Sequence, residues 1–288
     1  MSTAENRIGS GVLRRVSRAD YDAIDALNYS GLKEFARSPA HYQAAKAAPS
    51  EPTAAMVFGS AFHSLVLEPE RFSDAWAVLP PGLNRRTNAG KAAFELWETE
   101  NAGRGVVSAE DFDLLTRMAD AVRSHPIAGA LLKRAERTEI CAEWTDAYGN
   151  HCKALLDAVA FLNTPNTTIY DLKTTTDASS DEFSRAIGRY RYHWQAAFYS
   201  EALAASGFEP RNFCFVAVEK SEPFGVTVSR LSPDSIDAAT AQMRPLRKRF
   251  AECRKSNIWP GFEPKIYEIS APKWALINTN GGDENEHE

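Results

Sequence analysis

The chain has 288 residues, 44% of them hydrophobic and 25% charged, with 33 Lys and Arg against 38 Asp and Glu for a net charge of −5. Those proportions exclude a disordered, collagen-like or disulfide-stapled protein and allow a substantial core. The acidic balance excludes blanket affinity for nucleic acid, so any such binding needs locally concentrated positive charge.

No apolar run approaches the roughly 20 residues that span a bilayer, and no apolar stretch of a secretory signal follows Met1. A cytoplasmic protein with no membrane contact is expected. Cys141, Cys152, Cys214 and Cys253 lie too far apart for a CxxC metal pair and are expected to be reduced and mostly buried.

Residues 1–18 carry little pattern and are expected to form a flexible arm. From Ser30 to Tyr42, Leu32, Phe35 and Ala36 mark a short helix stopped at Ser38-Pro39. A second helix fits Ala54 to Leu67, with Phe58, Phe62, Leu65 and Val66 as its apolar stripe. Gly59 and His63 share a face of it, and the small Gly59 is expected to let another backbone approach the imidazole. Asn84-Arg85-Arg86-Thr87-Asn88-Ala89-Gly90-Lys91 reads as a polar, basic loop, and helices follow over about 92–100 and 109–124. This half is mainly helical.

The period changes after Arg137. Segments 139–144, 151–162 and 168–174 read as a three-stranded meander with turns at Gly149-Asn150 and at 163–166. Residues 180–205 read as one long helix, 211–218 and 225–231 as two further strands, and 234–255 as a closing amphipathic helix carrying Arg244, Arg247, Lys248, Arg249, Arg254 and Lys255. The acidic tail 278–288 is expected to be disordered. The pattern predicts one α/β (α+β) domain over 19–277, a central mixed sheet flanked by helices.

The meander holds the residues with chemistry. Alternation puts Asp171 and Lys173 on one face of their strand with Ile169, and Asp157 can reach them from the preceding strand. Leu155, Leu156, Val159, Ile169 and Leu172 surround these acids with apolar side chains, where carboxylates cost several kcal/mol unless a cation neutralises them. A divalent metal suits that demand, as in phosphodiesterases that hold Mg²⁺ on two acids beside a lysine. A structural Asp–Lys ion pair satisfies the same pattern. His63 is open in the same way, as a core histidine or a metal ligand, and Glu139 reads first as a solvated carboxylate at a strand edge. Gln195 and Tyr199 share a helix face. Arg189, Tyr190, Arg191, Tyr192 and Trp194 interleave cations and rings in a mixture that suits phosphate contact and base stacking.

At Ser38-Pro39-Ala40-His41-Tyr42, Gly59-Ser60-Ala61-Phe62-His63, Leu67-Glu68-Pro69-Glu70, the octapeptide Asn84–Lys91, Asp157, Asp171-Leu172-Lys173-Thr174-Thr175, Tyr190–Ser200 and Pro272-Lys273-Trp274-Ala275, the sequence resembles the RecE (exonuclease VIII) nuclease-domain family. These are RecB-like members of the PD-(D/E)xK superfamily. The resemblance implies the PD-(D/E)xK nuclease fold. It implies that His63, Asp157, Asp171, the Leu172 carbonyl and, through a gapped match, Glu139 hold metal, with two Mg²⁺ (or Mn²⁺) ions per site. Lys173 corresponds to the catalytic lysine, and Gln195 and Tyr199 to the helix motif after the core. Leu155 and Leu156 replace an Arg and a Pro frequent in the family before the first acid.

The implied activity is Mg²⁺-dependent 5′→3′ digestion of linear double-stranded DNA, leaving 3′ single strands for a RecT-like annealing recombinase in phage-type recombination. A toroidal homotetramer is implied as the source of processivity, with Arg85, Arg86, Lys91, Arg189 and Arg191 as candidate DNA contacts. The rivals are a DNA-end-binding or assembly protein with a decayed site, and a same-fold nuclease of other polarity or endonuclease mode.

Overall fold

A computed structural model describes residues 11–48, 52–82, 87–272 and 275. Strand β1 (Val12–Arg15) and helix α1 (Arg18–Ala23) open the chain. Helices α2 (Tyr29–Arg37), α3 (Pro39–Ala47) and α4 (Ala54–Leu67) follow. Ser38 ends α2 and caps α3, its hydroxyl accepting the His41 N–H at 3.3 Å while Pro39 supplies the preset first turn. Thr53 caps α4 in the same way at Met56.

A short helix α5 (Phe72–Ala75), strand β2 (Trp76–Leu79), helix α6 (Asn88–Glu100), strand β3 (Gly105–Ser108) and helices α7 (Ala109–Ser124) and α8 (Pro126–Lys133) complete the helical half. Strands β2 and β3 pair in parallel as a small separate sheet.

The main sheet comprises β1, β4 (Ala135–Thr145), β5 (His151–Ala160), β6 (Thr168–Thr175), β7 (Asn212–Glu219) and β8 (Val226–Arg230), in that order. Its pairs are antiparallel except for β6 with β7. That parallel pair needs a crossover, made by α9 (Ser180–Tyr190) and α10 (Tyr192–Ala205). The β4–β5 hairpin closes on Asp146, whose Oδ1 accepts the N–H groups of Tyr148 and Asn150, and Gly149 takes the φ of 78° that the turn requires. Helix α11 (Pro233–Ser256) ends the regular structure.

Each face of the sheet buries its own core. On one, Leu32 and Phe35 of α2, Phe198 and Leu203 of α10 and Met243 and Phe250 of α11 pack on Leu156, Ile169, Phe213 and Phe215. On the other, Phe62 and Val66 of α4 and Leu115, Met118 and Val122 of α7 pack on Ala158, Tyr170, Leu172 and Val216.

Several expectations are corrected. Residues 12–15 of the supposed arm form an edge strand, while 1–10 and the tail 278–288 lie outside the described residues. The helix expected over 180–205 breaks at Arg191, which adopts a left-handed conformation with φ 58° and ψ 37°. Asn88–Lys91 form the first turn of α6 and are not loop, and Arg85 and Arg86 lie outside the described residues. Cys141, Cys152 and Cys253 are buried and Cys214 is half-buried, all as free thiols. No helix among the described residues is long and apolar enough to cross a membrane.

Candidate metal centre

The centre sits where β5 and β6 part. Their pairing runs only from Ala158–Tyr170 to Ala160–Thr168. Beyond it β5 stays with β4 as far as His151 and β6 stays with β7 as far as Thr175. The Asp157 carboxylate fills the fork, its Oδ2 accepting the Leu172 N–H at 2.7 Å. A charged acceptor thus replaces the missing ladder bond and fixes the carboxylate's orientation.

Helix α4 brings His63 into the fork from one face of the sheet. His63 Nε2 lies 3.1 Å from the Leu172 carbonyl, while its Nδ1 lies 3.4 Å from Asp157 Oδ1 and 3.9 Å from Glu139 Oε1. A carbonyl can only accept, so Nε2 carries the hydrogen in that contact and Nδ1 is the atom turned to the acids.

Glu139 comes from β4 between Thr138, opposite Ala158, and Ile140, opposite Leu156. Its φ is 46°, a left-handed conformation unusual inside a strand and costly for a non-glycine residue. Glu139 Oε1 is buried with no hydrogen-bond partner among the described residues. His63, Glu139 and Asp157 each offer one ligand atom within 4.8 Å of the others.

Asp171 and Lys173 stand on the side of β6 that carries Ile169, as alternation requires. Lys173 Nζ pairs with Asp171 Oδ2, and Gln195 Nε2 of α10 donates to Asp171 Oδ1 at 2.6 Å. The Lys173 ammonium also lies 4.8 Å from the centre of the Tyr192 ring. Asp171 is 1% exposed and Asp157 7%.

These burials and charges set the proton affinities. Burial opposes the charged His63 ring, but the Asp157 and Glu139 carboxylates outweigh it and lift the group to about 9. Burial, reinforced by Asp157, pushes Glu139 up to about 7. Burial also raises Asp171, to about 6, against the pull of Lys173. Burial resists ionisation of Asp157 too, yet His63, Lys173 and the Leu172 N–H hold it below its ordinary value. Lys173 is raised, because Asp171 and Asp157 overcome its burial.

Three carboxylates therefore face one imidazole and one ammonium. The set fits a divalent metal: hard carboxylate oxygens, an imidazole nitrogen turned to them, and an acid oxygen left without a donor. Among the described residues this is the one group of at least three such side chains.

The structure thus gathers His63, Glu139, Asp157 and the Leu172 carbonyl on one side, and Asp171, Lys173 and Gln195 on the other. The expected Asp171 ligand is engaged with Lys173 and Gln195. Tyr199 is half-buried one turn after Gln195, and burial raises its hydroxyl well above its ordinary value. Lys91 is exposed on α6, a helix with no buried residue. Arg189 pairs with Glu182 at 3.6 Å, and Arg191 lies 4.3 Å from the Trp194 ring centre.

Two readings fail. A Cβ on Gly59 would meet nothing within 4 Å, so this glycine admits no neighbouring backbone to the imidazole. Trp194 is buried with its Nε1 on Gln242 Oε1 at 2.6 Å, so it is not a free stacking platform. The contact between Tyr192 and Lys173 was missed, because the break at Arg191 rotates Tyr192 out of the register of a continuous helix.

A mixed sheet forked over an acid–histidine cluster, with an Asp-x-Lys strand beside it, defines a PD-(D/E)xK-like domain. The chain belongs to the family described as the PDDEXK-like domain of unknown function, DUF3799, whose model matches residues 28–266. No curated protein matches it by sequence. Its fold is similar to that of a protein of Eubacterium rectale described as a candidate exonuclease, at a TM-score of 0.57 and 13% identity over 93% of this chain and 99% of that one. A second structure, SSO0001, superposes at a TM-score of 0.27 with 12% identity over 66% of this chain and 84% of that one, too distant to carry an argument.

Proposed function

We propose that this protein is a divalent-metal-dependent exodeoxyribonuclease that hydrolyses linear double-stranded DNA, its activity carried by a single domain over residues 19–277. The observation that carries the reading is the pairing of a metal-fitting donor set, with Glu139 Oε1 left without a hydrogen-bond donor among the described residues, and the ion pair of buried Asp171 with half-buried Lys173 at the same strand fork.

His63, through Nδ1, Glu139 and Asp157 would hold the ion, while the Leu172 carbonyl takes the far ring nitrogen, Nε2, and orients the imidazole. Bound there, Mg²⁺ or Mn²⁺ supplies Lewis acidity that lowers the pKa of water and neutralises phosphoryl charge. A second ion would draw on Asp171.

The chain's own groups do the rest. The Leu172 N–H fixes Asp157 Oδ2 and leaves Oδ1 turned toward His63 Nδ1, so the carboxylate is oriented before substrate arrives. Gln195 holds Asp171, Asp171 holds Lys173, and the Tyr192 ring supports the ammonium from another side. Lys173 can then donate to the attacking water or to a phosphoryl oxygen as charge builds.

Cleavage in the 5′→3′ direction, 3′ overhangs passed to a RecT-like annealing protein, a homotetrameric ring and a cytoplasmic location complete the proposal. The similarity of fold to the Eubacterium rectale protein supports the exonuclease mode. The test is degradation of end-labelled linear duplex in Mg²⁺, beside covalently closed circles and the Lys173→Ala and Asp157→Asn variants. Loss of linear DNA only, with the 5′ label released first and both variants inactive, is expected. Cleavage of circles, release of the 3′ label first, or full activity in either variant contradicts the corresponding part.

A further inference from the structure

Strand β1 covers only part of β4: Val12–Arg15 pair with Ile140–Glu143. The rest of β4, from Ala135 to Glu139, has β5 on one side and, among the described residues, no strand on the other. Its register slips between Ala135 and Arg137, which bends this free edge. A cavity of about 400 Å³ occupies the notch where β1 stops, and Arg14, Arg15, Glu136, Arg137 and Thr138 are among its walls.

The guanidiniums there differ in their engagement. Arg14 is bound to Glu143. Arg15 Nη2 reaches Glu68 Oε1 at 2.7 Å and Thr138 Oγ1 at 3.3 Å, with half of its side chain still exposed. Arg137 Nη1 donates to the Glu136 carbonyl at 2.9 Å, and no carboxylate among the described residues pairs with it. The one acid in the wall, Glu136, is turned to the Leu162 N–H at 3.0 Å.

The notch is next to the centre in the chain as well as in space. Thr138 and Ile140, both in its wall, flank the donor Glu139. Planar guanidiniums beside a free strand edge form a site for an anion with several acceptor oxygens. A group held there lies one residue along β4 from the metal donors.

We propose that this notch is a DNA-backbone site, in which Arg15 and Arg137 hold a phosphodiester of the substrate beside the position of cleavage. The proposal rests on the nuclease reading for its substrate, but its test does not need turnover. Binding of labelled duplex is measured by anisotropy in Ca²⁺, across a series of salt concentrations, for the unaltered protein, Arg137→Gln, the double variant Arg15→Gln/Arg137→Gln, and Arg244→Gln/Lys248→Gln on α11.

Each lost phosphate contact reduces the slope of log affinity against log salt by about 0.9. Arg137→Gln is expected to weaken binding about 5-fold and lower the slope by about 1, the double variant by about 2. The α11 pair should leave both unchanged. Among the described residues Arg137 has no ion pair to lose, so its variant reports even if the double variant unfolds.

Unchanged slope and affinity in Arg137→Gln, an equal loss in the α11 pair, or no duplex binding by the unaltered protein overturns the notch. Binding that follows the expected pattern in a protein unable to degrade DNA leaves the notch standing and overturns the nuclease reading instead.

Discussion

Replacing Glu139 by Gln should make the metal-free protein more stable and the metal-loaded protein less so. Glu139 holds its proton more tightly folded, at about 7, than its ordinary value of 4.5, because its carboxylate is buried beside Asp157. The sign follows directly. Below pH 4.5 the acid is neutral in both states and costs nothing. Between 4.5 and 7 the folded state binds more protons than the unfolded one, so stability falls as pH rises. Above 7 the full penalty is present, roughly 3 kcal/mol by linkage.

The side chain is 27% exposed, and solvent screening brings the expected gain to about 1–3 kcal/mol. Urea unfolding in EDTA should show Glu139→Gln equal to the unaltered protein near pH 4 and more stable by that amount at pH 8. Added Mn²⁺ should reverse the order, since only a protein that binds the ion gains stability from it. A variant less stable at pH 8 in EDTA, or one with an undiminished gain from Mn²⁺, would refute the assignment of this carboxylate.

Three further outcomes follow from contacts around the same fold. Gln195→Leu removes a donor from buried Asp171 and should cost about 1.5–3 kcal/mol; urea midpoints within experimental error of the unaltered protein would show that the bond carries nothing. Tyr192→Phe keeps a ring under Lys173 and should retain turnover, whereas Tyr192→Leu should lower kcat about 3- to 30-fold with KM little changed; equal loss in both, measured on linear duplex, would make the effect one of packing. Arg247, buried against Glu201 and Asp146 between α10 and α11, makes no hydrogen bond or ion pair with the centre among the described residues. Arg247→Leu should cost about 3–5 kcal/mol by denaturant unfolding while leaving Mn²⁺ affinity intact, and a parallel loss of affinity would show the metal donors to be coupled to the α10–α11 packing.

The parts legible in the sequence are those where local pattern and tertiary demand agree. Helix α4 has a capping threonine and a four-residue apolar stripe, and its observed bounds, Ala54–Leu67, match the expected ones. The meander was legible from alternation, and with it the meeting of Asp157 with the Asp171–Lys173 strand.

What escaped has physical reasons. Strand β1 is four residues long and buries none of them, so it becomes a strand only through β4. Arg191 breaks the crossover helix without the glycine or proline that would announce a break, and Tyr29, whose hydroxyl donates to the Tyr190 carbonyl, holds the end of α9 from α2. Glu139 looked like a solvated edge acid, because nothing in its neighbours signals a left-handed residue inside a strand. The fork itself is a long-range event: β5 and β6 separate because each follows a different neighbour.

The central claim is a divalent ion held by His63, Glu139 and Asp157. Anomalous diffraction from crystals soaked in Mn²⁺ tests it most directly. The account predicts a peak within bonding distance of all three side chains. A map with no peak at the fork, or with its strongest peak on other residues, would contradict it.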